Sequence, residues 1–244
     1  TSRYNNIMRD ILPKSENKRD YVQHMFARIA GQYDLMNRII SLGQDSVWRR
    51  KVVQILRPES SAVYLDLGAG TGDLSYAIIK DAPGAHVVAA DLTLGMLLYG
   101  KLKKNSQNIS WVAADAQALP FKQDTFSGVV SGYLLRNVPD IDIALKEQMR
   151  VIRHACKIIS LDTTPPAPNL LYPFIIFYLK WIIPLVGWII TRDGQAYSYL
   201  PESTRKHLTA ESLFKRMQKA GFESIKFEKL MFGTMAIHSG KKPG

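Results

Sequence analysis

A chain of 244 residues with 46% hydrophobic and 22% charged residues has the composition of a globular protein and excludes a disordered one. Its 32 Lys and Arg against 21 Asp and Glu leave a net charge of +11, which suits nucleic acid, an anionic membrane surface or an acidic ligand without choosing among them. The lone Cys156 excludes an internal disulfide, and no His/Cys cluster has zinc spacing, so no metal is expected.

Along the chain, the first fifteen or so residues carry no apolar run, which predicts no signal peptide and a cytosolic setting. From about Lys18 to Leu56 apolar residues recur at three and four (Val22, Met25, Phe26, Ile29; Val52, Val53, Leu56), predicting helices that end before Pro58. The period then changes. "AVYLDLGAG" is a short apolar run closed by glycines and reads as a buried strand. "DLSYAIIKDA" reads as a helix, "HVVAAD" as a strand, "LGMLLYGKLKKN" as a helix and "ISWVAAD" as a strand. "FSGVVSGYLL" is a fourth strand, "IDIALKEQMRVI" a helix and "KIISLD" a fifth strand. After an apolar stretch come a helix over 210–220 and two alternating segments, "FESIKFEKLM" and "MAIHSGKK", which read as a hairpin completing the sheet. The order predicts an α/β fold with a seven-stranded, mostly parallel sheet and helices on both faces. The expected organisation is a helical cap over 1–58 and a catalytic domain over 59–244, with an apolar insertion at 166–208.

That insertion contains "LLYPFIIFYLKWIIPLVGWIITRD" (170–193), long enough as a helix to match a bilayer core. Five strands precede it and two follow. Were it to cross a bilayer, the last two could not join their sheet, and Lys180, Pro173, Pro184 and Gly187 also oppose a simple span. It is expected to break near Pro184 and Gly187 into two pieces, the first capped by Asn169.

"DLGAGTGD" (66–73) follows a strand and opens a helix, so Gly68, Gly70 and Gly72 let the backbone turn sharply and approach a ligand. Asp91 ends the next strand, 19 residues beyond Gly72, where a carboxylate can accept both hydroxyls of a ribose. Spacing of the Gly-x-Gly-x-Gly kind lacks the dinucleotide fingerprint, so S-adenosylmethionine is the cofactor that fits best. Asp115 and Ala116, after the third strand, stand where an adenine edge can be read.

These residues resemble the ubiquinone/menaquinone-biosynthesis C-methyltransferases. "YDLMNRIISLGQDSVWRR" (33–50) is similar to that family's N-terminal signature, and "DLGAGTGD", "AQALPF", "LLRNVPD" and "AYSYLPES" resemble family segments in the same order. The resemblance runs from about Val22 to Lys242. It implies a class I methyltransferase fold, S-adenosylmethionine as donor and a prenylated quinol as acceptor. It also implies donor contacts from Asp66, Thr71, Leu92 and Ser131 beside Gly68, Gly70, Gly72, Asp91, Asp115 and Ala116. Two departures stand out: Asp45 replaces the usual His before Trp48, and "RVIRHACKIISLD" lacks the family's Pro-Gly-Gly turn and has Asp162 for Glu. The turn is expected to form without its glycine-dependent geometry.

At the acceptor, Arg136 and Asn137 follow an apolar strand and are the candidate catalytic pair. Arg136 would stabilise a phenolate by its fixed charge, and Asn137 would orient a hydroxyl or a water. An alternative pairs Arg136 with Asp140. Tyr33, Phe174, Phe177, Tyr199 and His207 are the candidate substrate contacts. The apolar stretch would be a lid for an isoprenoid tail, with a peripheral contact to the cytoplasmic membrane face through scattered Lys and Arg. Plain core packing and a homodimer contact are the alternatives for it. Another lipid or natural product is an alternative acceptor. Nucleic acid is not expected as a partner, because neither a base-flipping motif nor an aromatic platform in a basic stripe is present.

Overall fold

The computed structural model describes residues 15–103, 107–166, 168, 170–191, 203–204 and 207–244. Three helices lead, α1 (Ser15–Ile29), α2 (Tyr33–Ile40) and α3 (Asp45–Leu56). Arg57 turns left-handed (φ 55°) and Pro58 follows, which stops α3 where the sequence says it should stop.

Strands and helices then alternate: β1 (Val63–Leu67), α4 (Asp73–Asp81), β2 (His86–Asp91), α5 (Leu94–Lys103), β3 (Ile109–Ala113), β4 (Phe126–Gly132), α6 (Ile141–Val151) and β5 (Ile152–Thr163). Beyond the apolar segment lie α9 (Ala210–Lys219), β6 (Glu223–Leu230) and β7 (Met235–Lys241). One sheet forms in the order β3-β2-β1-β4-β5-β7-β6. The strands pair in parallel except at β7, which runs antiparallel to β5 and to β6 (Leu161 opposite Ile237, Glu228 opposite Ile237). This is the expected fold, down to the single antiparallel strand.

Both faces of the sheet are apolar because both are covered. One core holds Leu65, Phe126, Val129, Leu145, Leu213 and Met217, between the sheet and α6 and α9. The other holds Trp48, Val52, Leu56, Ile78, Val130 and Ile159, under α3 and α4. Helix α6 starts at a built cap, where Asp140 accepts from the amides of Asp142 (2.8 Å) and Ile143 (3.1 Å). Thr209 does the same for α9 through the Ser212 amide.

Two local expectations need correction. Strand β5 begins at Ile152, directly after α6, and not at Lys157, with a register shift against β4 between Phe126 and Gly128. Within it Ala155 adopts φ +58°, a left-handed conformation that glycine would take without cost. The glycine-type turn therefore forms on an alanine, held by Ala155 N–H to Lys242 O (3.1 Å) and Lys242 N–H to Cys156 O (3.1 Å).

The apolar segment is one helical rod: α7 (Tyr172–Phe177), a π-helical turn (Tyr178–Ile182) and α8 (Ile183–Thr191). It does not break at Pro184 and Gly187. Instead Ile183 N–H reaches back five residues to Tyr178 O, so the turn widens just before Pro184. Pro184 has no N–H to give and its ring would press on the Lys180 carbonyl, and the wider turn relieves both problems. Tyr172–Ile190 is long and apolar enough to cross a membrane by length and composition. Yet β5 before it and β7 after it pair side by side, so the chain returns to the same sheet. The rod packs through Ile175 and Ile183, and Val186 and Ile190 rest on the cluster of Met25, Ile29 and Met36 from α1 and α2. Tyr178 Oη donates to Ile40 O at 2.9 Å. The expected Asn169 cap lies outside the described residues.

Candidate active site

The carboxyl ends of β1, β2, β4 and β5 gather the site on one edge of the sheet, as a parallel sheet with crossover helices dictates. The turn after β1 has Gly68, Gly70 and Gly72 at φ +69°, +56° and +81°. A Cβ on Gly72 would lie 2.4 Å from Trp111 Cη2, and one on Gly68 would lie 2.8 Å from Leu134 Cδ1. Glycine is thus required here for packing as well as for conformation. The amides of Gly68 and Ala69 donate to Ala90 O (2.8 and 3.0 Å), which staples the turn to β2.

Asp91 fixes the turn from the other side. Its Oδ2 accepts from Gly70 N–H (2.8 Å) and its Oδ1 from Thr93 N–H (2.7 Å). Burial raises the Asp91 carboxyl above its ordinary pKa, although these amides pull it down. Asp66 accepts from the amide (2.9 Å) and hydroxyl (2.6 Å) of Ser75, and burial raises it to about 7. A cleft of about 90 Å³ runs from Gly68 and Gly70 past Asp91, Leu92, Met96 and Tyr33 to Asp115, Ala116 and Asn137.

The donor set of this cleft fits S-adenosylmethionine. It offers carboxylates for a ribose and an exocyclic amine, the apolar walls Leu92, Met96 and Ala116 for a flat base, and a backbone stripped of Cβ atoms at the turn. Asp115 is braced by Gln117 N–H (2.9 Å). Thr71 lies below, buried, donating to Asp34 (2.6 Å) and accepting from Lys103 (2.8 Å). Ser131 differs from the expectation that it faces the donor: it is wholly buried within β4 and lines neither the cleft along Asp91 nor the one beneath the glycine turn.

A second cavity, of about 300 Å³ and almost wholly apolar, lies alongside. Its walls are Asn37, Ile40, Leu42 and Trp48 from the N-terminal helices, Phe174, Ile175, Tyr178 and Ile183 from the apolar rod, and Met231, Phe232 and Met235 from the β6–β7 connection. Arg136, Tyr133 and Thr163 form the polar end. Arg136 is 7% exposed; its backbone N–H reaches Asp162 Oδ2 at 3.3 Å and its Nε lies 4.0 Å from Asp162 Oδ1. The carboxylate beside Arg136 is thus Asp162, while Asp140 serves as the cap of α6. The guanidinium sits 5.2 Å from the centre of the Tyr133 ring.

The substrate candidates separate. Phe174 lines the mouth of the apolar cavity, whereas Phe177 lies outside its lining; both are exposed. Tyr33 lines the first cleft and not the apolar cavity, edge-on to Phe26 (5.6 Å). Asn137 also lines that cleft, with Nδ2 on Tyr133 O at 2.8 Å. His207 lies outside the lining of the cavity, whose edge is formed there by Thr204. Tyr199 lies outside the described residues.

Sequence reasoning did not assign Leu42, Trp48, Thr163, Met231 and Phe232 to a cavity, although Leu42 and Trp48 lie within the N-terminal signature. It also missed Arg49, which joins Asp73 and, at 3.4 Å, the buried Asp45 beneath the glycine turn. Lys103 pairs with Asp34 and with Asp73 (3.1 Å) in the same network, tying α2 and α3 to the turn.

Comparison with known proteins agrees with this geometry. The sequence profile of the ubiE/COQ5 methyltransferase family matches residues 14–242. The ubiquinone/menaquinone biosynthesis C-methyltransferase UbiE of Desulfotalea psychrophila is 43% identical over 221 residues, 91% of this chain and 90% of that protein. The demethylmenaquinone methyltransferase of Roseiflexus sp. is 37% identical over 234 residues, 96% of this chain and 98% of that one. Among solved structures, phosphoethanolamine N-methyltransferase 2 of Haemonchus contortus, in complex with S-adenosyl-L-methionine, superposes with a TM-score of 0.61. It is 15% identical and covers 81% of this chain and 52% of that one, a likeness of fold alone.

Proposed function

The chain belongs to the ubiE/COQ5 methyltransferase family, and from that premise we propose how its two cavities divide the work of methylating a quinol ring carbon. It is an S-adenosylmethionine-dependent C-methyltransferase of quinone biosynthesis. The observation that carries the division is the pairing of an apolar cavity, closed at one end by a buried arginine, with a carboxylate-lined cleft at a glycine turn.

In this reading Gly68, Gly70, Asp91, Leu92, Asp115 and Ala116 hold the donor, with Asp66 and Thr71 fixing the turn from below. When bound, S-adenosylmethionine supplies an electrophilic methyl. The quinol head lies in the apolar cavity with a hydroxyl toward Arg136. A fixed positive charge in an apolar wall stabilises negative charge developing on that oxygen, and so raises the electron density of the ring carbons. Asp162 braces the backbone at Arg136 through its amide. Arg136 serves as an electrostatic partner, not as a base. Asn137 stands on the donor side, where its bond to Tyr133 O keeps the strand end in register.

The isoprenoid tail leaves between Phe174, Leu42 and Phe232, all about 70% exposed at the mouth. Phe177, Trp181, Leu185 and Trp188 carry the apolar surface onward along the rod. Together with the basic excess, this face supports a peripheral contact with an anionic membrane surface on the cytoplasmic side.

The test is incubation of the purified protein with methyl-labelled S-adenosylmethionine and either a demethylmenaquinol-type lipid or bulk RNA. Label on a ring carbon of the quinol is expected. Label on RNA alone would overturn the reading.

A further inference from the structure

Methyl transfer needs the reacting carbon and the donor on one line, so the side chain that stands between their sites decides that line. Tyr133 holds this place. It lines the acceptor cavity, the donor cleft and the small cleft beneath the glycine turn, and among the described residues no other in the wall of the acceptor cavity also lines either cleft.

Its backbone explains how it gets there. Directly after β4, Tyr133 turns to φ +59°, a conformation that costs a residue with a Cβ about 1–2 kcal/mol. Such a cost persists where the surroundings fix the backbone, and here they do. Tyr133 N–H donates to Leu161 O at 2.7 Å, and Tyr133 O accepts from Asn137 Nδ2 at 2.8 Å. The Arg136 guanidinium covers the ring at 5.2 Å. Continuing as a strand would have sent the side chain to a sheet face, whereas the left-handed turn sends it between the two sites.

We propose that Tyr133 is a positioning residue for methyl transfer, its ring forming the partition against which the acceptor ring is set in line with the donor. This rests on the methyltransferase reading above. Burial pushes the phenol well above its usual range, so the hydroxyl stays neutral, and the ring, not an ionised oxygen, carries the role.

Three proteins test it: wild type, Tyr133→Phe and Tyr133→Gly. Phenylalanine keeps the partition and should retain near wild-type kcat. Glycine suits the left-handed backbone, so the variant should fold, while the partition is lost. Its kcat should fall about 100-fold, the scale of a misplacement near 1 Å. Affinity for S-adenosylhomocysteine, measured by calorimetry, should stay close to wild type. A glycine variant with wild-type kcat would overturn the proposal, as would a loss matched by equally weakened S-adenosylhomocysteine binding. So would a phenylalanine variant as slow as the glycine one. If the wild type itself methylates no quinol, the functional reading fails, and the partition role goes with it.

Discussion

Replacing Ala155 by glycine should stabilise this protein, against the usual sign of a change to glycine. Ala155 is solvent-exposed and sits at φ +58° inside β5. Holding an L-residue with a Cβ in that region costs about 1–2 kcal/mol, which glycine does not incur. Against this, glycine raises the entropy of the unfolded chain, at a cost of about 0.4–1 kcal/mol. The methyl is exposed, so little apolar burial is lost with it. The net effect is a gain of about 0.8 kcal/mol, or a rise in Tm of about 2–3 °C for a chain of this size. Chemical denaturation followed by tryptophan fluorescence, with a thermal scan beside it, reads the change. Ala27→Gly, at an exposed position within α1, is the control and should cost about 1 kcal/mol. Activity should be untouched, because Ala155 and the cavity-lining Thr163 are eight residues apart along one strand, about 26 Å. If both glycine variants destabilise alike, the strain argument is wrong.

Further outcomes follow from other positions. With a folded pKa of about 7 against 3.8, Asp66 binds a proton in the native state that the unfolded chain releases between those values. Its contribution to stability is therefore present below pH 4 and is lost as pH rises to 7, by roughly 1.4 kcal/mol per pH unit at most. Asp66→Asn should flatten that slope in denaturation curves from pH 5 to 8. At Gly72, where a Cβ would lie 2.4 Å from Trp111, alanine should cost roughly 2–5 kcal/mol and abolish S-adenosylhomocysteine binding in calorimetry. Asp162→Asn removes a carboxylate beside the buried Arg136 and should cost about 1–3 kcal/mol, whereas the double change with Arg136→Met should recover stability but not turnover. Phe232→Ser should weaken kcat/KM for a long-tailed quinol more than for a short-tailed one, while Phe177→Ser, facing outward, should reduce liposome binding and spare the short-tailed acceptor.

The donor side was legible in the sequence because its parts are consecutive or sit at strand ends. A glycine turn after one strand and Asp91 at the end of the next need only the parallel topology to meet, and the alternation of strands and helices supplies that topology. The acceptor cavity has no such economy. Leu42 and Trp48, Thr163, and Phe232 come from three regions brought together by the fold, and none repeats at a helical or strand period that points to a cavity. The apolar rod shows the limit within a single element. A helical wheel assumes 3.6 residues per turn, but the π-helical turn at Tyr178–Ile182 changes the phase, so one wheel cannot sort both halves. Phe174 and Phe177 are three residues apart on α7 and both exposed, yet only Phe174 lines the cavity, a difference set by what packs beside the helix and not by its own period.

The two changes within "RVIRHACKIISLD", the missing Pro-Gly-Gly turn and Asp162 for Glu, lie at opposite ends of β5, and this separates their meanings. At the amino end, Ala155 bears on stability alone. At the carboxyl end, Asp162 stands beside Arg136, the only guanidinium lining the cavity among the described residues. A carboxylate one methylene shorter than Glu is occupied close to its own backbone: Oδ1 accepts from Thr163 N–H at 2.8 Å and Oδ2 from Arg136 N–H at 3.3 Å. Its approach to the guanidinium stops at 4.0 Å. Coulomb attraction falls with distance, and a close bidentate pair would have turned the charge inward and neutralised more of it. Asp162 therefore anchors the backbone of the connection after β4 that carries Arg136, while leaving more of that charge to the cavity, where an ionising acceptor hydroxyl would meet it.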